Sequence, residues 1–218
     1  MSRVIYACDV GSTKSGAFAW ARTLPTRSVP SAGRNIATLV SSIIADAESG
    51  LSISLGFESP LFLPVPRRHD NLSSGRSGES NRSMFAPVGA GVTTLGVHQA
   101  AWILRAVGDK AGDLLEYVTD WRQWPPLDGS PRFLVWEAFV SGNAHSLSHE
   151  NDAVTAAMYF REKEGSLGAA HAVSAEDPFS LIHAVAMWAG WATDLDRLHC
   201  ECLVLKPESA YIEEWVSA

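Results

Sequence analysis

Val4-Ile5-Tyr6-Ala7-Cys8-Asp9-Val10-Gly11-Ser12-Thr13-Lys14-Ser15-Gly16-Ala17-Phe18-Ala19-Trp20-Ala21 is the stretch that decides the fold. Its first five residues form a β-rich apolar run that ends at Asp9. A glycine-bearing turn, Gly11 to Gly16, follows, and Ala17 to Ala21 is a second apolar run. Strand, tight turn, strand is the economical reading: a β-hairpin whose first strand ends in a carboxylate.

Beyond the hairpin, a Pro/Ser-rich stretch from Pro25 to Ser31 leads to a segment with helical periodicity. Ile36, Leu39, Val40, Ile43 and Ile44 recur on one face, which predicts a helix from about Arg34 to Glu48 with Gly50 as its stop. Leu51 to Phe57 alternates as a short strand that ends at Glu58, and Ser59-Pro60 breaks it. From Leu61 to about Thr94 periodicity disappears, which predicts a long, irregular, flexible loop after that strand. Helical signal resumes at Leu95 and continues to Val118, with a break near Gly108. Trp121 to Pro131 reads as a loop, and Phe133 to Trp136 as a strand with Glu137 at its end. Ser148 to Glu164 is a helix with Ala153, Ala156, Ala157 and Phe160 on one face. Asp177 caps and Pro178 opens a further helix from Phe179 to Thr193, apolar nearly all round and therefore buried. Cys202 to Leu205 is a last strand. This order predicts an α/β layered domain, a mixed sheet flanked by helices, over residues 1–218.

Composition agrees. The chain has 218 residues, long for one domain and short for two, and a 46 % apolar fraction ordinary for a packed core. No apolar run is long enough for a bilayer, and the first residues run straight into a strand without a leader-like pattern. The expectation is a cytoplasmic protein with no membrane partner. Three cysteines make no disulfide framework. Cys200 and Cys202 could share a strand face as a zinc pair, but buried packing is the plainer reading. The net charge of −7 lowers the expectation of a nucleic-acid coat without excluding a local basic patch.

Asp9 and Glu58 each end a strand, and Asp152 opens a helix. If the two strands are parallel neighbours, their carboxylates emerge at the carboxyl edge of the sheet, where open α/β sheets place ligands. Three clustered carboxylates repel, and a hard divalent cation, Mg2+ or Mn2+, is the common remedy. Such an ion suits phosphate ester chemistry because it activates water. Singly, Asp9 also reads as a turn residue and Asp152 as a carboxylate favoured by the helix dipole. Glu58, closing a hydrophobic strand before Pro60, has no such local duty.

Val4 to Ser12 followed by Gly16 to Trp20 resembles the opening hairpin of the ribonuclease H-like superfamily. Gly56-Phe57-Glu58-Ser59-Pro60 resembles that superfamily's fourth-strand acid. His149-x-x-Asp152-Ala153 followed by Ala156-Ala157 resembles the C-terminal helix of its Holliday-junction resolvase branch. The whole chain is similar to an uncharacterised bacterial family of predicted nucleases with that fold. The resemblance spans Val4 to Phe160 and implies a ribonuclease H-like mixed sheet with Asp9, Glu58 and Asp152 as metal ligands. It also implies a nucleic-acid substrate cleaved by metal-dependent phosphodiester hydrolysis. The resolvase pattern often has an acid where His149 stands. A histidine there either ligates metal or positions water, or else caps the helix. Glu137 reads as a fourth acid of the site or a surface residue.

Arg67, Arg68, Arg76 and Arg82 fall in the irregular stretch, with only Asp70 and Glu79 opposing them. Arg offers bidentate donors to phosphate, so these and Lys14 in the first turn are candidate substrate contacts; the bland reading is a solvated loop. Trp121 and Trp124 are candidates for base stacking. Trp188 and Trp191, three apart, form a surface that packs on the sheet or makes a homodimer. Two rivals to the nuclease stand. Asp9-Val10-Gly11-Ser12-Thr13-Lys14 also resembles the first phosphate loop of the sugar-kinase, actin and Hsp70 group, which implies ATP binding. A catalytically silent member that keeps the fold as a binding or assembly module is the other.

Overall fold

A computed structural model describes residues 2–26, 29–79, 83–211 and 215–218. In chain order the strands and α-helices are β1 (Arg3–Asp9), β2 (Ala19–Thr23), β3 (Ser31–Gly33), α1 (Ile36–Glu48), β4 (Ser52–Phe57), β5 (Phe62–Pro64), α2 (Pro87–Ala111), β6 (Glu116–Val118), β7 (Arg132–Ala138), α3 (His149–Lys163), α4 (Leu167–Ala170), β8 (Pro178–Ser180), α5 (Leu181–Trp188), β9 (Val204–Leu205) and β10 (Val216–Ser217). The main sheet runs β10-β3-β2-β1-β4-β7-β6, with β9 also on β7. β1, β2 and β3 form an antiparallel meander, whereas β1, β4, β7 and β6 are parallel. The fold is α/β, a mixed sheet of mostly parallel strands flanked by helices.

β1 shows why. Its residues from Val4 to Asp9 are all buried, as expected of a strand covered on both faces. Alternate side chains serve different layers. Val4, Tyr6 and Cys8 join a core with Leu39 and Ile43 of α1 and Ile103 of α2. Ile5 and Ala7 join Ala153, Ala157 and Phe160 of α3 on the other face. In β4, Gly56 carries no side chain because Trp136 of the neighbouring strand lies over it. A Cβ there would sit 2.4 Å from the indole Cζ2.

The helix starts follow local chemistry. Asn35 Oδ1 accepts from the Ala37 and Thr38 amides and caps α1. Past Ser49, Gly50 takes a left-handed φ of 76° and closes the helix. Ser148 caps α3, as its position ahead of His149 requires.

Four expectations need correction. Within the described part of Leu61 to Thr94, the chain is not without regular structure. It forms β5, a single 3-10 turn at His69–Asn71 and the first two turns of α2. Those turns are built from Pro at the helix start and small residues, with Thr93 and Thr94 hydroxyls donating to carbonyls four residues back. They present no apolar stripe, so periodicity does not register them. Helix does not continue to Val118 either, since Glu116–Val118 is β6, parallel to β7. Glu137 lies within β7 rather than at its end. The helix expected over Phe179 to Thr193 is shorter at both ends. Pro178–Ser180 pairs with β5, Ser180 rather than Asp177 caps α5, and Trp188 is exposed.

Candidate metal centre

Parallel pairing of β1 with β4 matches Cys8 to Phe57, so Asp9 and Glu58 leave neighbouring strands at the same level. The Glu58 amide donates to the Cys8 carbonyl at 2.8 Å and holds that level. α3 crosses β1 and β2 and brings Asp152, in its first turn, to the same edge. One carboxylate oxygen from each of Asp9, Glu58 and Asp152 lies within 4.8 Å of the other two. Asp152 is 1 % exposed, Asp9 8 % and Glu58 half-buried, so the cluster is largely shielded from water.

Two histidines brace the acids. His149 Nδ1 meets Asp9 Oδ2 at 2.6 Å, the carboxylate accepting. His145 Nδ1 lies 2.7 Å from Asp152 Oδ2, off the line of a good hydrogen bond. Asp152 Oδ1 accepts the Ser146 amide at 2.7 Å. His145 was not singled out from sequence; its signal was its place four residues before His149 and seven before Asp152. Burial pushes the Asp9 carboxyl above its ordinary range; His149 opposes that and the neighbouring Asp152 adds to it. Glu150 points elsewhere, to Arg34, whose guanidinium holds its carboxyl at about 2.

α2 closes the edge. A Cβ on Gly96 would lie 2.1 Å from Ser59 Oγ, so the helix backbone rests directly on the residue after Glu58. Gln99 Nε2 donates to the Gly11 carbonyl at 2.6 Å and fastens the first turn beneath it.

The other candidates separate. Glu137 is not a fourth metal ligand. Arg76 Nη1 and Nη2 donate to its two oxygens at 2.7 and 2.6 Å, and the Leu61 amide donates to one of them. Arg76 is correspondingly held within the fold, its guanidinium buried between Glu137 and Glu79. A loop arginine ends up inside because two buried carboxylates there require a cation. Lys14 is exposed in the Gly11–Gly16 turn. Arg67 and Arg68 are exposed and pair with Asp177 and Asp70, and Arg82 lies outside the described residues. Trp124 is buried and donates to Glu164, and Trp121 stacks on His171, so the two do not form an open stacking pair. Trp191 stacks on Phe133, leaving Trp188 beneath Arg105 as the exposed tryptophan of that pair. Cys202 is buried and Cys200 exposed, which removes the zinc-pair reading.

No family model matches this chain, and no curated protein or solved structure matches it. No helix among the described residues is long and apolar enough to cross a membrane.

Proposed function

We propose that the chain is a metal-dependent phosphodiester hydrolase of the nuclease type, built on a ribonuclease H-like fold. The observation that carries this reading is the convergence of Asp9, Glu58 and Asp152 from three separate elements. The donor set fits the group: three carboxylates at a sheet edge offer the hard oxygen ligands that Mg2+ and Mn2+ take. When bound, the ion supplies Lewis-acid stabilisation of phosphoryl charge and an activated water. Asp9, Glu58 and Asp152 hold it. His149 orients Asp9, and His145 stands against Asp152. Lys14, Arg67 and Arg68 are exposed cations for the phosphates of a nucleic acid.

Hydrolysis of DNA and RNA panels with Mg2+ or Mn2+ tests it. Asp9→Asn combined with Asp152→Asn is expected to lower turnover at least about a hundredfold, with the fold intact by circular dichroism. Turnover unaffected by the double change would sink the proposal. The histidine contacts favour one rival, a silent binding module in which His145 and His149 hold Asp152 and Asp9 as structural pairs. That rival predicts no thermal shift with either ion.

A further inference from the structure

We propose that the groove between the Gly11–Gly16 turn and α2 is a stacking platform for single-stranded nucleic acid, with one base lying on Trp102. The inference rests on the phosphodiesterase reading and names the substrate form that reading leaves open. The groove has a volume of about 320 Å³, and its walls include Ser12 and Thr13 of the turn, Ile36 at the start of α1, and Leu95, Gln99 and Trp102 of α2. Gln99 Nε2, donating to the Gly11 carbonyl, fixes the turn against α2. Ser12 stands three residues past Asp9. At most about 11 Å of chain therefore separates them, a span of about three nucleotides at the rise of a stacked strand and fewer in a stretched one. A strand whose phosphodiester lies at the carboxylate cluster reaches the groove with a base close to that bond.

Shape and charge select the occupant. Trp102 is 46 % exposed, and among the described residues neither a ring nor a cation lies over it; Trp121 and Trp191 stack on other rings, and Trp188 sits beneath Arg105. Ile36 and Leu95 are packed against the core, so the groove is a firm apolar slot with a bare indole at its rim. A flat ring gains stacking there, and every base has a face to offer, so the platform tolerates any sequence. Bases in a duplex keep their faces covered by their neighbours, which makes the occupant a base of an unpaired strand. The surrounding charge fits that strand's backbone. Four other pockets each include at least one glutamate in their walls, whereas this one includes no carboxylate, in a chain of net charge −7. Lys14, next to Thr13, is exposed and forms no ion pair among the described residues. α1 begins at the groove with no acidic residue in its first turn, so the positive end of its dipole is unopposed there. An aliphatic chain or an apolar peptide would fill the slot and leave that charge unmatched.

The test measures, by fluorescence anisotropy, the binding of short labelled oligothymidylate, oligouridylate and a thymidylate–adenylate duplex to the full chain. It is run once in EDTA and once in Ca2+, which takes oxygen ligands without standing in for the catalytic ion's tighter geometry. Single strands are expected to bind in at least one condition, and Trp102→Ala to weaken that binding at least about fivefold. Trp102→Tyr, which keeps a ring, should restore most of it, and Trp188→Ala should leave it unchanged. Lys14→Ala should lower affinity and flatten its salt dependence. Thr13→Glu, at an exposed position, sets a carboxylate in the groove and should weaken binding likewise; it carries the test if Trp102→Ala does not fold. No single-strand binding in either condition overturns the inference, as does affinity indifferent to both Trp102→Ala and Thr13→Glu, or duplex binding equally sensitive to Trp102. Self-association that Trp102→Ala abolishes in sedimentation, with strand binding intact, would give the groove to a second copy and overturn it too. Trp102-dependent strand binding without metal-dependent hydrolysis would remove the catalytic reading and keep the platform. Metal-dependent hydrolysis indifferent to Trp102 would do the reverse.

Discussion

Arg76 shows how one residue's environment changes its meaning. In the sequence it is one of four arginines in a polar stretch; in the fold its guanidinium is 1 % exposed and bridges Glu137 and Glu79. Burial works against its charge, but the two carboxylates more than offset this and hold the group above its ordinary value. Arg76→Met would leave two buried carboxylates without their cation. The expected loss is about 3–5 kcal/mol, a fall in Tm of roughly 6–20 °C. Adding Glu79→Gln and Glu137→Gln should recover much of it, because the penalty comes from the unpaired charges. Urea unfolding of the single and triple variants measures this. A single variant as stable as the parent would mean the ion pair contributes nothing to the fold.

At the scale of elements, α2 sets the height of the site's wall. Gly96 allows the helix backbone to rest on Ser59, whose hydroxyl donates to the Val92 carbonyl at 3.2 Å. Ser59 is buried and has little room to give. Gly96→Ala therefore pushes α2 away from the end of β4. The expected cost is about 1–3 kcal/mol of stability, together with weaker Mn2+ binding, since Glu58 directly precedes Ser59. Chemical denaturation and a metal titration on the same variant check the two effects. Weaker stability with unchanged Mn2+ affinity would show that α2 supports the fold without positioning Glu58.

For the whole molecule, an ion at the cluster would join β1, the end of β4 and α3, and its effect on stability must depend on pH. Asp9 is pushed above its ordinary range, so the metal-free folded state binds a proton more tightly than the unfolded chain does. Metal-free stability therefore falls as pH rises from the ordinary aspartate value through the raised folded one. A divalent ion competes with that proton and favours the ionised cluster. Mn2+ at about a hundredfold excess over its Kd should raise Tm by roughly 5–10 °C near pH 7.5 and by much less near pH 4.5. Differential scanning fluorimetry at the two pH values reads this directly. An equal shift at both would place the bound ion away from Asp9.

The hairpin, α1, β4, β7 and α3 were legible along the chain because each carries its own periodicity and its own local start or stop signal. Asp9, Glu58 and Asp152 stood out for a related reason, each sitting at the end or beginning of such an element. Their meeting within 4.8 Å depended on the parallel register of β1 and β4 and on where α3 crosses them, which no local pattern encodes. The early start of α2 was hidden because its first turns bury no apolar stripe. The pairing of Arg76 with Glu137 was not legible, because a charge's partner is chosen by space rather than by neighbours in sequence. Local periodicity records which face of an element is buried. Only the packed molecule decides which buried charges face one another, and therefore which of them remain at the sheet edge for chemistry.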